Sequence, residues 1–112
     1  MNKEKDINFS EFKGNLTRKP ELKGKDKKYA VLSLACNRNY QNQNGKFEAD
    51  FINVKVWKNV EKYVEELDKG QKVHIKAHTQ TGSYQNDKGE KVYTTDLVAD
   101  EIEYDLKKEI KT

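Results

Sequence analysis

Residues 51–57 read Phe-Ile-Asn-Val-Lys-Val-Trp, and this alternation constrains the chain more than any other stretch. Successive side chains of a β-strand point to opposite faces. Ile52, Val54 and Val56 therefore share one face, and Phe51, Asn53, Lys55 and Trp57 share the other. The aliphatic set is suited to a core. The second set mixes two large rings with an amide and a cation, so either the rings meet a ligand or they are covered by a partner subunit or by strand twist.

Other segments repeat the period of two. Leu32, Leu34 and Cys36 alternate with Ser33 and Ala35, and Val73, Ile75 and Ala77 alternate with His74, Lys76 and His78. A further strand is expected over "VYTTDLVA", residues 92–99, and a short first strand precedes the turn-rich, lysine-rich loop at 15–29. "QNQNG" (41–45) and "YQNDKGEKVY" (84–93) read as hairpins. Only "NVEKYVEELDKG" (59–70) departs from the pattern. Its Val60, Tyr63, Val64 and Leu67 follow the helical spacing i, i+3, i+4, i+7, and Gly70 is expected as a left-handed cap. The order is three strands, one helix, two strands. One helix between the third and fourth strands of a five-stranded Greek-key barrel is the plan of the all-β OB-fold.

The 112 residues suffice for one core, and the single cysteine excludes an internal disulfide and a multi-cysteine metal site. "MNKEKDINFS" lacks the apolar stretch of a secretory signal, and the longest apolar run, Tyr29–Leu32, is far too short to span a membrane. A cytoplasmic protein is expected. Charge is uneven: residues 96–112 hold three Lys/Arg against six Asp/Glu, whereas residues 1–30 hold nine against five. A basic body suits a polyanion partner.

No catalytic set emerges. There is no Gly-rich phosphate loop, nucleophile elbow or His-Glu-x-x-His motif. His74 and His78 lie in an alternating strand, where four residues span roughly 13 Å, too far for one ion to join them. Cys36 falls on the aliphatic parity, where burial raises a thiol's pKa and makes a poor nucleophile. The acidic residues Asp96, Asp100, Glu101, Glu103 and Asp105 fit no ligand spacing. Neither an enzyme, a metal nor a cofactor is expected. Phe9, Phe12, Tyr29 and Tyr63 have ordinary core or staple roles. Tyr40 and Tyr84 stand beside the two hairpins, where further rings could be laid along a strand of bases.

The stretches "GNLTRKPEL" (14–22), "LSLACNRNYQNQNGKFEADFINVKVWKN" (32–59) and "LDKGQKVHIKAHTQTGSYQNDKGEKVYTTDLVADEIE" (67–103) keep the order and spacing of a known pattern. In these residues the chain resembles the bacterial single-stranded-DNA-binding proteins. The resemblance implies an OB-fold domain over 1–104, with a charged extension at 105–112, binding single-stranded DNA as a homo-oligomer, a dimer or a tetramer. It implies stacking rings at Tyr40, Phe51, Trp57 and Tyr84. Arg38, Lys46, Lys55 and Lys58, beside those rings, are the expected phosphate contacts. A replication helicase or polymerase is a further expected partner. The alternative is a protein-interaction or loader module of the same fold, with DNA secondary; RNA is a subsidiary ligand.

The chain departs from the pattern at identifiable places. "AHTQTG" (77–82) has Thr79 for an apolar residue and Gly82 for an arginine, leaving His78 as a substitute donor. The loop after Leu22 is about two residues short, and Glu11 and Lys13 occupy usually apolar positions of the first strand. The sequence stops at "EYDLKKEIKT" instead of running into a Gly/Pro/Gln-rich linker with an acidic tip. The resemblance then implies an accessory form, carried by a phage, plasmid or other mobile element, or a piece of a longer protein.

Overall fold

The computed structural model describes residues 5–105. The strands are β1 (Ser10–Leu16), β2 (Leu22–Lys23), β3 (Tyr29–Gln41), β4 (Phe47–Val56), β5 (Lys72–Gln85) and β6 (Lys91–Tyr104), with helix α1 (Val60–Glu66) between β4 and β5. The two-residue β2, inside the loop read as a turn, adds a strand to the expected five and pairs only with the start of β3.

β1 closes the barrel. Its first part pairs with β5, from Ser10 opposite Ala77 to Asn15 opposite Lys72, and its end pairs with β3 at Asn15–Ala35 and Leu16–Leu34. The remaining neighbours run β5–β6–β4–β3, with β4 and β6 meeting in parallel at Lys55 and Val98. Five strands thus enclose one core, the OB-fold plan. Leu32, Leu34, Val54, Leu67, Val73 and Ile75 are its fully buried large side chains. The faces follow parity, Val54 and Val56 buried while Phe51 and Asn53 stand in solvent.

Switching from β5 to β3 brings β1 very close to its neighbour at Gly14. A Cβ there would lie 2.5 Å from the Ala35 carbonyl oxygen and 2.9 Å from Cys36 Sγ. Only glycine permits this approach.

β3, β4 and β5 outrun the expected segments because β3–β4 and β5–β6 continue past the barrel as arms, whereas β6 gains Glu101–Tyr104, paired with Val73–Lys76 in the barrel itself. Both arm faces are wet, so apolar alternation disappears over Asn37–Gln41 and Thr79–Gln85 while backbone pairing persists. The two arm turns are built alike. The Asn42 side-chain oxygen accepts from the N–H groups of Asn44 and Lys46, and that of Asn86 from Lys88 and Glu90. Gly45 and Gly89 supply the positive φ each turn needs.

Three expectations need correction. Gly70 does not cap the helix, which ends at Glu66, with Leu67 already extended. Gly70 has φ +85° in the turn leading to β5, where its N–H donates to Leu16 O at 2.8 Å. The helix end is satisfied from outside instead. Lys19 Nζ donates to Val64 O at 3.0 Å and Leu67 O at 3.1 Å, placing a cation where helix carbonyls converge. Phe9 is exposed rather than core, because it lies just before β1 and its neighbour Asn8 takes the backbone bonds to Thr79. Tyr29 leaves the core for the outer face, whereas Phe12 and Tyr63 do pack on the core.

Replacing Gly14 by Ala should lower stability by roughly 1–3 kcal/mol, the usual cost of forcing atoms into filled space. Urea unfolding measures this, and a wild-type midpoint would show that β1 and β3 can part without loss.

Candidate nucleic-acid interface

Cross-strand partners share a face. Ala35 lies opposite Phe51, Ser33 opposite Asn53 and Val31 opposite Lys55, so the outer face of β3–β4 is a defined strip. At its end Tyr29 and Trp57 meet, ring centroids 4.8 Å apart and tilted by 34°. Lys55 Nζ lies 5.3 Å from the Tyr29 centroid and 3.3 Å from Asp96 Oδ2. The Lys55–Asp96 pair carries the strip onto β6. Gln80 stands opposite Asp96 and Tyr84 opposite Val92, so Tyr84 belongs to the same face, farther out along the β5–β6 arm.

All four expected rings are exposed: Tyr40 63 %, Phe51 75 %, Trp57 50 % and Tyr84 56 %. Phe51, Trp57 and Tyr84 share one face. Tyr40 lies on the β3–β4 arm beyond the register shift between Asn37 and Gln41, where parity no longer carries over from Phe51.

The expected cations divide. Lys46, in the β3–β4 turn, and Lys58, next to Trp57, are exposed. Lys55 is on the strip with its charge shared by Asp96. Arg38 is not brought to it, since its guanidinium goes to Asp50, which with its partner Cys36 lies on the opposite face. There Asp50 takes two bonds from its guanidinium, at 2.9 and 3.2 Å, and Glu48 a third at 2.8 Å. The Asp50 hydrogen bond holds Arg38 above its ordinary range, and the same bond lowers the Asp50 carboxyl. Burial, then Asp50, pushes the Cys36 thiol up.

Several residues of the strip escaped sequence reading. Tyr29 shares the parity of Ser33 and Ala35, and that signal was available. Arg18 and Lys23 come from the loop and β2, whose path no periodicity reveals. They join Asn53, Lys55 and Thr95 around a cleft between β4 and β6. Ser33, on the outward parity, is nevertheless only 8 % exposed. Arg18 Nη2 reaches it at 3.3 Å, and its hydroxyl donates to Asn53 Oδ1 at 2.7 Å. Tyr93 and Phe47 are also exposed, Tyr93 on the other face of the β5–β6 arm with Lys91 Nζ 5.3 Å from its ring.

The histidines go to separate carboxylates. His74 pairs with Glu11 and lies near Glu103, and His78 Nδ1 meets Asp100 at 2.9 and 3.0 Å, so the donor expected to substitute for the arginine absent at Gly82 is engaged. Among the described residues no three His, Cys, Asp or Glu side chains are placed to hold a metal.

The profile of the single-strand binding protein family matches residues 8–105. The chain belongs to that family. Among its relatives, the single-stranded DNA-binding protein 1 of Lactococcus lactis is 42 % identical over 97 residues, covering 84 % of this chain and 65 % of that protein. The single-stranded DNA-binding protein 1 of Staphylococcus aureus is 41 % identical over 104 residues, covering 88 % and 65 %. The chain thus spans just under two thirds of the length of these relatives. A solved structure described as a Plasmodium falciparum SSB complex with ssDNA superposes with a TM-score of 0.67, covering 93 % of this chain and 98 % of that one. At 22 % identity that likeness concerns the fold.

Trp57 is the only tryptophan and reports directly on its contact with Tyr29. Tyr29→Ala should free the indole, lowering its fluorescence anisotropy and speeding acrylamide quenching, while Tyr29→Phe should leave both near wild type. Unchanged values in the Ala variant would show that Tyr29 does not hold the ring.

Proposed function

We propose that this chain binds single-stranded DNA with little dependence on sequence, holding bases on aromatic rings and phosphates on flanking cations. The observation that carries the proposal is the pair Phe51 and Trp57, both exposed on one strand face with Asn53 and Lys55 between them. Every base has a π-face, so an exposed ring accepts any of them, at about 1–3 kcal/mol per stacked base. Tyr84 extends this surface along the β5–β6 arm, and Tyr40 supplies a ring from the β3–β4 arm.

Lys58 and Lys46 are the freest of the expected phosphate contacts, and Lys23 adds a cation from the cleft between β4 and β6. Lys55 contributes by loosening its bond to Asp96. Arg38 contributes only by exchanging Asp50 or Glu48 for a phosphate. Family membership supports the ligand, since the relatives are named for it.

In this reading residues 1–104 form the binding domain and no chemistry is performed. Residues 106–112 of the suggested extension lie outside the described residues. Assembly into a dimer or tetramer, a cytoplasmic working place and contact with a replication helicase or polymerase belong to the same proposal. Among the described residues no helix is long and apolar enough to cross a membrane.

Adding oligothymidine should quench Trp57 fluorescence. Affinity should fall as salt rises, log K against log salt having a slope of about −0.7 for each neutralised phosphate. Trp57→Ala should cost on the order of 1–3 kcal/mol of binding while leaving the fold intact. Unquenched fluorescence together with unchanged affinity in the variant would sink the stacking role.

A further inference from the structure

Asn53 sits between Phe51 and Trp57 in sequence, and its side chain is oriented from beneath. An arginine guanidinium can only donate, so Ser33 Oγ accepts from Arg18 Nη2 at 3.3 Å. In the structure the Asn53 atom facing Ser33 is its oxygen, which accepts from the Ser33 hydroxyl at 2.7 Å. Its NH2 points away from Ser33, on an exposed residue, and among the described residues it has no partner. Among the described residues Arg18 has no carboxylate within ion-pair distance, so no salt bridge draws it from Ser33.

We infer that Asn53 is a specificity-determining residue, whose fixed amide NH2 favours keto-bearing bases over amino-bearing ones. The inference rests on the single-stranded DNA reading and refines it at one position. A free asparagine reads adenine by using both amide ends, accepting from the N6 amino group and donating to N7. Here the oxygen is turned toward Ser33, and only donors are presented to the strand. Carbonyl oxygens such as O4 of thymine or uracil and O6 of guanine meet those donors. The amino groups of cytosine and adenine at the same positions are donors themselves and oppose them. The strip thus accepts every base through its rings while one amide ranks them.

The test compares oligodeoxyuridine with oligodeoxycytidine of equal length at pH 8, where cytosine is neutral. The bases are alike in size but carry a carbonyl or an amino group at position 4. The wild-type protein should bind the uridine oligomer more tightly by roughly three- to tenfold, the size of one net hydrogen bond. Asn53→Ala, at an exposed site, should bring the ratio near one, and Asn53→Asp, which presents only acceptors, should invert it despite weaker binding overall. Ser33→Ala, which releases the amide to turn over, should shrink the ratio. Tight binding of both oligomers by wild type with a ratio near one, or a ratio unaltered by Asn53→Ala, overturns the inference and leaves the single-strand reading standing. Failure to bind either oligomer overturns both.

Discussion

The barrel is closed by β1 crossing from β5 to β3, and Gly14 is where two backbones come too close for any side chain. The faces of the sheet follow from that closure. Once β3 is fixed between β1 and β4, Leu32, Leu34, Val54 and Val56 have one interior to enter. The opposite parity then has no core to join. Phe51 and Trp57 are left in water because strand alternation places them there, and in the proposed function that exposed apolar area is the binding surface.

Of the four cations expected beside the rings, two are paired with carboxylates and two are not. Asp96 faces Lys55, and Asp50 and Glu48 enclose Arg38. At such exposed sites each pair adds little to stability. Their larger effect is on a polyanion, which must exchange one carboxylate for a phosphate to use Lys55 or Arg38, whereas Lys46 and Lys58 need no exchange. Under the proposed function this grades the cations by availability.

Much of this was legible in the residues. The alternation at 51–57 and 73–77 gave the inward sets, and the single helical stripe at 60–67 located the helix and hence the fold. The helix's true end was not legible, because Lys19, distant in sequence, satisfies carbonyls that Gly70 was expected to cap. The arms escaped because paired strands wet on both faces carry no apolar period. Arg38 stood beside Tyr40, an expected stacking ring, in sequence, yet the fold turns it away and into two carboxylates. Arg18 escaped for the converse reason: only the tertiary path of its loop lays it across Ser33. Tyr29 was readable by parity, but an apolar run from Tyr29 to Leu32 concealed it.

In the proposed function Phe51 and Trp57 work by stacking on unpaired bases. Competition against a fluorescently labelled oligothymidine tests it most directly, with unlabelled single strand and unlabelled duplex of the same length as rivals at moderate salt. Duplex hides its base faces, so it should require roughly tenfold or more higher concentration to displace the probe, relying on phosphate contacts alone. Equal displacement by the two rivals would mean that charge, and not the exposed rings, holds the strand.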